Sequence, residues 1–422
     1  MEEVYHRFNP WWQANYRFDD AWIERPIYLD QIIGQLPQKS IQILVGSRRV
    51  GKTTLLKQVV RHLIVDQKVA PQNIFYFSAD HPQLQDTSFL KHLDQMRRIF
   101  QHPRSTNLWL FLDEVQERPH WQSELKSIYD LEQVKILCTG SSATLIERHG
   151  GKLTGRQISH TIFPLRFAEF LNFRGLANIP PSEAYRFVAE AENYMRLGGY
   201  PEHVLHPNEM YLSSLIEDIL ARDIVRIFSP RKPLILKNLL GLLAAALSNR
   251  ISYNKLAAVL GISVDTVKDY VGYLQSAYLV QALSKASSSV NDRIYSQKKI
   301  YFTDLGIHSL MSPTDFGPRA ENLIFNHLQQ DQVELGYFAE SEKEVDFIYS
   351  LKNARIPIES KYISVINFSE KRWSGLKLFL KKHPKIATAY IITKDLAQTF
   401  DFEKTQIIAI PLWRFLLDPK LD

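Results

Sequence analysis

Apolar residues early in this chain gather in short runs separated by stretches of mixed polarity. The runs at 41–45, 73–78, 108–112, 134–139 and 157–163 each have the length and composition of a strand, and helix-like stretches lie between them. Leu108-Trp109-Leu110-Phe111-Leu112 is apolar throughout, as in a strand buried on both faces of a parallel sheet. This rhythm predicts an α/β fold, a parallel sheet with helices on both faces. From 201 to 247 the apolar spacing becomes helical, with Leu215, Ile219, Ile224 and Ile227. That stretch reads as a helical lid or as ordinary helix packing.

Between 248 and 312, Leu260-Gly261-Ile262-Ser263 reads as a turn between two helices. Ser252 can cap the first helix, and Val267, Val271 and Leu274 form the inner face of the second. Strand-like Tyr278-Leu279-Val280 and Lys299-Ile300-Tyr301-Phe302 follow, the order of a winged helix. Ser287, Ser288 and Ser289 with Arg293, Lys298 and Lys299 would make a polar, basic wing. The second helix carries Asp265 and Asp269 against a single Lys268, whereas phosphate binding wants net positive charge. The element therefore reads as a structural or protein-docking module, with DNA contact by the wing as the alternative.

The eight residues Gly46-Ser47-Arg48-Arg49-Val50-Gly51-Lys52-Thr53 fit the phosphate-binding pattern G-x-x-x-x-G-K-[ST]. A strand leads in and a helix beginning near Thr54 leads out, the context this motif needs. Backbone N–H groups and the helix start would cradle the phosphates of ATP. Lys52 would reach the β- and γ-phosphates and Thr53 would hold Mg²⁺. The apolar run 108–112 ends in Asp113-Glu114, at the strand end where open α/β sheets place ligands. Asp113 would hold Mg²⁺ and Glu114 would activate the attacking water. After the strand at 134–139, Ser141 is the candidate γ-phosphate sensor, with Thr139 next. Arg156, following Gly155, is a further candidate for the γ-phosphate, in its own or a neighbouring subunit.

Past 312 a helix carries Glu321, and Asp346 and Ile356-Pro357-Ile358-Glu359-Ser360-Lys361 lie on two strands of a hairpin. Alternation puts Glu359 and Lys361 on one face, and Asp346 can converge with them. Helix Glu, then Asp, then Glu-x-Lys is the arrangement of PD-(D/E)XK nucleases. Carboxylates Asp346, Glu359 and Glu321 would hold Mg²⁺ or Mn²⁺, and Lys361 would activate water or steady developing charge. Basic residues Lys371, Arg372, Lys377, Lys381, Lys382 and Lys385 lie at helical spacing; they could line a phosphate backbone or form a solvated face.

Composition narrows this little. The chain has 422 residues, 45% apolar and 23% charged, a globular balance for two to four domains. No unbroken apolar stretch reaches the length of a membrane span, and the polar start is not a signal peptide. The single cysteine, Cys138, excludes internal disulfides and fits a cytoplasmic location. A net charge of +6 permits DNA binding without demanding it.

As a whole the chain resembles bacterial and archaeal AAA-type ATPases with a C-terminal nuclease-like domain of unknown function. The residues that carry the resemblance include Phe8-Asn9-Pro10-Trp11-Trp12, Gly46 to Thr53, Leu112-Asp113-Glu114-Val115-Gln116, Gly198-Gly199-Tyr200-Pro201, Tyr301-Phe302-Thr303-Asp304-Leu305-Gly306, Glu344-Val345-Asp346-Phe347 and Glu359-Ser360-Lys361. The resemblance implies an ASCE-type P-loop ATPase core over 1–200, including an aromatic N-terminal segment packed on it. A helical lid over 201–247, a winged helix over 248–312 and a restriction-endonuclease-like domain over 313–422 would follow. Ser360 departs from the small apolar residue usual there, but on a strand it faces away from the site. The leading expectation is an ATPase that couples turnover to nucleic-acid binding or cleavage. The alternative is a nucleotide-driven switch that docks a protein partner, with an inactive nuclease fold. Oligomeric state stays open.

Overall fold

The structure, a computed structural model, describes residues 1–18, 22–140, 153–287, 289–313, 315–330, 334–351 and 354–418. It forms two compact units, Met1–Phe163 and Pro164–Asp422. In the first, β1 (Ile41–Val45), β2 (Ile74–Ser78), β3 (Leu108–Asp113), β4 (Val134–Gly140) and β5 (Gln157–Thr161) form one sheet in the order β2-β3-β4-β1-β5. All neighbours are parallel. β1 and β3 are buried at every position, which explains the unbroken apolar run Leu108–Leu112 of β3. β4 lies between β1 and β3, so the turn after β1 and the acids ending β3 open on the same edge.

The N-terminal aromatic segment covers β2, the sheet's outer strand. Asn9 Oδ1 accepts from the Tyr76 N–H at 2.7 Å, and Asn9 Nδ2 donates to the Tyr76 carbonyl at 2.8 Å. The Trp12 indole donates to the Ile74 carbonyl at 3.0 Å. One side chain thus supplies the pairing a further strand would make.

In the second unit, helix Tyr185–Leu197 packs on helices Leu305–Met311, Phe316–Gln330 and Leu412–Leu417. Residues 164–200, expected with the ATPase core, are grouped by compactness with this unit. The reason is a buried joint. Asp304 caps helix Leu305–Met311, its Oδ1 accepting from the Ile307 N–H at 3.1 Å, while Oδ2 accepts from the Gly199 N–H at 2.6 Å. A Cβ on Gly198 (φ +73°) would stand 2.3 Å from Asp304 Oδ1, so only glycine lets the chain pass this carboxylate. In Asp304→Asn, an amide donor would face one of these N–H groups. Urea unfolding is expected to show a loss of about 2 kcal/mol, the cost of one unmet buried donor.

Helices Pro201–Leu205, Glu209–Asp218 and Leu234–Ala245 follow, with a π-helical section Ile219–Val225. Helices Tyr253–Leu260 and Val264–Ser276 come next. A small antiparallel sheet of β6 (Arg250–Ile251), β7 (Val280–Leu283) and β8 (Lys298–Phe302) runs in the order β6-β8-β7. The last sheet holds β9 (Glu334–Glu340), β10 (Lys343–Leu351), β11 (Ala354–Ser360), β12 (Thr388–Thr393), β13 (Gln398–Phe402) and β14 (Thr405–Pro411), ordered β13-β14-β12-β11-β10-β9. Trp373, Leu376 and Phe379, from the 371–373 turn and helix Ser374–Lys382, fill its core with Val345, Ile391 and Ile407.

Candidate functional site

The phosphate-loop residues Gly46 to Thr53 join β1 to helix Lys52–Val65. At Gly46 (φ +151°) an added Cβ would meet the Ile162 carbonyl oxygen at 2.2 Å. Arg49 sits at φ 64° and Gly51 at φ 97°, turning the loop back over the helix start. Lys52 is buried, and its ammonium donates to the carbonyls of Gly46 and Ser47 at 2.9 and 2.8 Å. The Thr53 hydroxyl donates to Asp113 Oδ2 at 2.7 Å. A hydroxyl and a carboxylate oxygen meeting beside a helix N-terminus suit Mg²⁺ carried by a nucleotide.

The acid pair is held by its neighbours. Thr139, fully buried on β4, donates to Asp113 Oδ1 and accepts the Glu114 N–H at 2.9 Å. Thr139 therefore touches and orients both acids. Ser141 lies outside the described residues. Glu114 has φ 51°, and its carboxylate accepts from the Gln116 amide. Burial pushes the Glu114 carboxyl above the usual range, while the charge of Lys52 works against it. A raised carboxylate beside a bound nucleotide is the profile of a general base.

Two contributors had no local sequence signal. The Tyr76 hydroxyl, one strand over on β2, donates to Asp113 Oδ2 at 3.0 Å. Arg25 donates to the carbonyls of Val50 and Phe163, both at 2.9 Å, and its guanidinium lies 4.5 Å from the Tyr28 ring centroid. It braces the phosphate loop from the side.

Arg156 is a correction. It immediately precedes β5, which pairs in parallel with β1 from Gln157 opposite Ile41. The Ile41 N–H donates to the Arg156 carbonyl at 2.7 Å, and the guanidinium pairs with Asp130 at 3.0 Å. This is the sheet edge opposite the phosphate loop, about 15 Å away at strand rise. Arg156 does not serve the γ-phosphate of its own chain; only action across a subunit boundary is left of that expectation.

In the second unit the structure brings Glu321, Asp346, Glu359 and Lys361 together. A register shift between Val345 and Ile348 bulges β10 at Asp346, a device that re-aims a side chain. Asp346 Oδ2 accepts from the Ser360 N–H at 2.9 Å, and Lys361 Nζ lies 2.7 Å from Glu359 Oε1 and 3.5 Å from Asp346 Oδ2. Burial, then the charge of Asp346, pushes the Glu359 carboxyl up to about 8. Burial works against Asp346 too, yet Lys361 and Lys299 hold it below the usual range.

Lys299 is the second correction. It was expected on an exposed basic wing, but it is 1% exposed and points into the carboxylates. Its Nζ lies 2.6 Å from Glu321 Oε1, 2.8 Å from Glu344 Oε1 and 3.3 Å from Asp346 Oδ1. The Tyr301 hydroxyl donates to Glu321 at 2.8 Å. The carboxylates Glu321 and Asp346, assigned to a metal with Glu359, face an ammonium instead. Among the described residues no three His, Cys, Asp or Glu side chains are gathered to hold a metal ion. This donor set does not fit Mg²⁺ or Mn²⁺. Of the rest of the wing, Arg293 pairs with Glu334 at 3.7 Å, and Lys298 donates to the Arg293 carbonyl.

Residues 38–171 match a family model described as an AAA domain. The sheet order, the phosphate loop and the acid pair agree with that match. The N-terminal unit has the fold of an AAA-type P-loop ATPase. Its fold supports ATP binding and hydrolysis. Residues 188–316 and 316–415 match two domains of unknown function, DUF8612 and DUF4143, which assign no chemistry to the second unit. The uncharacterised protein MJ1544 of Methanocaldococcus jannaschii is 28% identical over 342 residues, 76% of this chain and 74% of that protein. An uncharacterised protein of Haemophilus influenzae is 25% identical over 357 residues, 82% of this chain and 87% of that protein. Among solved structures, the Walker-type ATPase PABY2304 of Pyrococcus abyssi is 15% identical with a TM-score of 0.40, covering 71% of this chain and 99% of that one. A likeness at that level carries no argument of its own. No helix among the described residues is long and apolar enough to cross a membrane.

Proposed function

We propose that this ATPase is a nucleotide-driven switch. ATP binds across Gly46 to Thr53, with Lys52 and the loop N–H groups on its phosphates. Thr53 and Asp113 would hold Mg²⁺, which when bound neutralises phosphate charge. Glu114 takes a proton from the attacking water. The linked set Thr53, Asp113, Thr139 and Glu114 carries this reading, because it fixes the metal-binding acid and the base relative to one loop.

What the switch engages is read from the second unit. Helix Val264–Ser276 exposes Asp265 and Asp269, and Lys268 is drawn to Asp265 at 3.2 Å. A phosphate backbone is repelled by such a face, so a protein partner is the better fit. A nucleic-acid partner is the second reading, supported by exposed Lys371, Lys381 and Lys385. Hydrogen exchange of the full chain with ATP and with ADP is expected to differ within 164–422, with no DNA binding even at low salt. Identical exchange in the two states would sink the switch. DNA binding that weakens steeply with salt would favour the second reading.

A further inference from the structure

The four carboxylates Glu321, Glu344, Asp346 and Glu359 come from helix Phe316–Gln330 and strands β10 and β11. The cation among three of them comes from elsewhere in the chain, the middle strand of the small β6-β8-β7 sheet. Lys299 is held in that strand by pairing on both sides, with Arg250 on β6 and Leu283 on β7. Arg250 follows the same path: its Nε lies 3.1 Å from Glu344 Oε2. Just beyond β7, the Ala286 N–H donates to the Tyr337 carbonyl at 2.8 Å and the Tyr337 N–H donates to the Ser284 carbonyl at 3.1 Å. The small sheet is therefore laid against β9 by backbone bonds, and its central lysine is aimed by covalent geometry.

An ammonium has three N–H donors and no acceptor. Lys299 meets carboxylate oxygens of Glu321, Glu344 and Asp346, so its donor capacity is matched one for one. A second ammonium, Lys361, serves Glu359 and the far oxygen of Asp346. Mg²⁺ demands near-octahedral oxygen ligands at about 2.0–2.1 Å and keeps several waters. A buried ammonium against the same carboxylates denies it both the ligand oxygens and the room. It also repels an incoming cation strongly at such range in a buried setting.

We infer that Lys299 is the resident cation of this cluster, taking the position a divalent metal would need and closing the site to metals. The cluster is then an ionic latch that fastens strands β6 and β8 to strand β10 and helix Phe316–Gln330. It owes nothing to the phosphate loop, and its test uses nucleotide-free protein, so failure of the ATPase reading would leave it standing.

The test is Mn²⁺ binding to the full chain, followed by electron paramagnetic resonance of free Mn²⁺. Wild type and Asp346→Asn are expected to take up equal amounts. Lys299→Ala is expected to gain one further Mn²⁺ per chain, and Lys299→Ala/Asp346→Asn to lose it again. A wild-type site that disappears in Asp346→Asn would overturn the inference. So would a folded Lys299→Ala protein, checked by circular dichroism, that takes up no more Mn²⁺ than wild type. Should Lys299→Ala fail to fold, the comparison of wild type with Asp346→Asn decides alone.

Discussion

Replacing Glu114 by Gln is expected to lower ATP turnover by about 10²–10⁴-fold, the usual size of a general-base contribution, with nucleotide affinity kept. The amide preserves shape and the hydrogen bond to Gln116 but cannot take a proton from water. The backbone is untouched, since Thr139 holds the Glu114 N–H and Asp113 still faces Thr53. The pH profile should change as well. A base works ionised, so wild-type turnover falls as pH drops through the Glu114 pKa. Burial raises that pKa, which moves this acid limb above the ordinary carboxylate range. The limb should vanish from the residual activity of the variant. Steady-state phosphate release and titration with a fluorescent nucleotide separate the two effects. Turnover within a few-fold of wild type would remove Glu114 from the reaction.

Lys52→Ala is expected to weaken ATP binding by about 10²–10⁴-fold. A hydrogen bond to a charged group is worth about 1.5–3 kcal/mol, and this lysine would serve two phosphates. Its ammonium already lies inside the loop, on the carbonyls of Gly46 and Ser47, so little reorganisation precedes binding. The same nucleotide titration measures the loss. An Ala variant that binds and hydrolyses ATP normally would show that the nucleotide sits elsewhere.

The first unit was legible because its information is local. A parallel strand buried on both faces reads as a short run rich in apolar residues, most plainly Leu108–Leu112, and each of the five runs coincides with a strand. The phosphate loop and the acid pair are contiguous motifs, so pattern and structure coincide. Arg156 was misplaced although a signal existed: a residue just before a parallel strand lies at the sheet's N-terminal edge, away from the phosphates. Thr139 was read for its hydroxyl alone; its full burial on β4 makes it a support for Asp113 and Glu114. Lys299 had no local signal. It follows polar Gln297 and basic Lys298, and its burial depends on Glu344 and Asp346, 45 and 47 residues away. The Glu-x-Lys pattern located the cluster correctly but said nothing about a third strand entering it.

Asn9 bears on how copies of this chain can meet. An open strand edge is a template on which separate molecules join sheet to sheet. Here both backbone groups of Tyr76 are taken by one amide side chain, and the Ile74 carbonyl is taken by Trp12. Self-association by extending the sheet past β2 is thereby closed, which leaves β5 as the other outer strand of that sheet. The same cover is lost from a fragment trimmed to the AAA-matched stretch 38–171, whose bare β2 edge would invite aggregation however intact its phosphate loop.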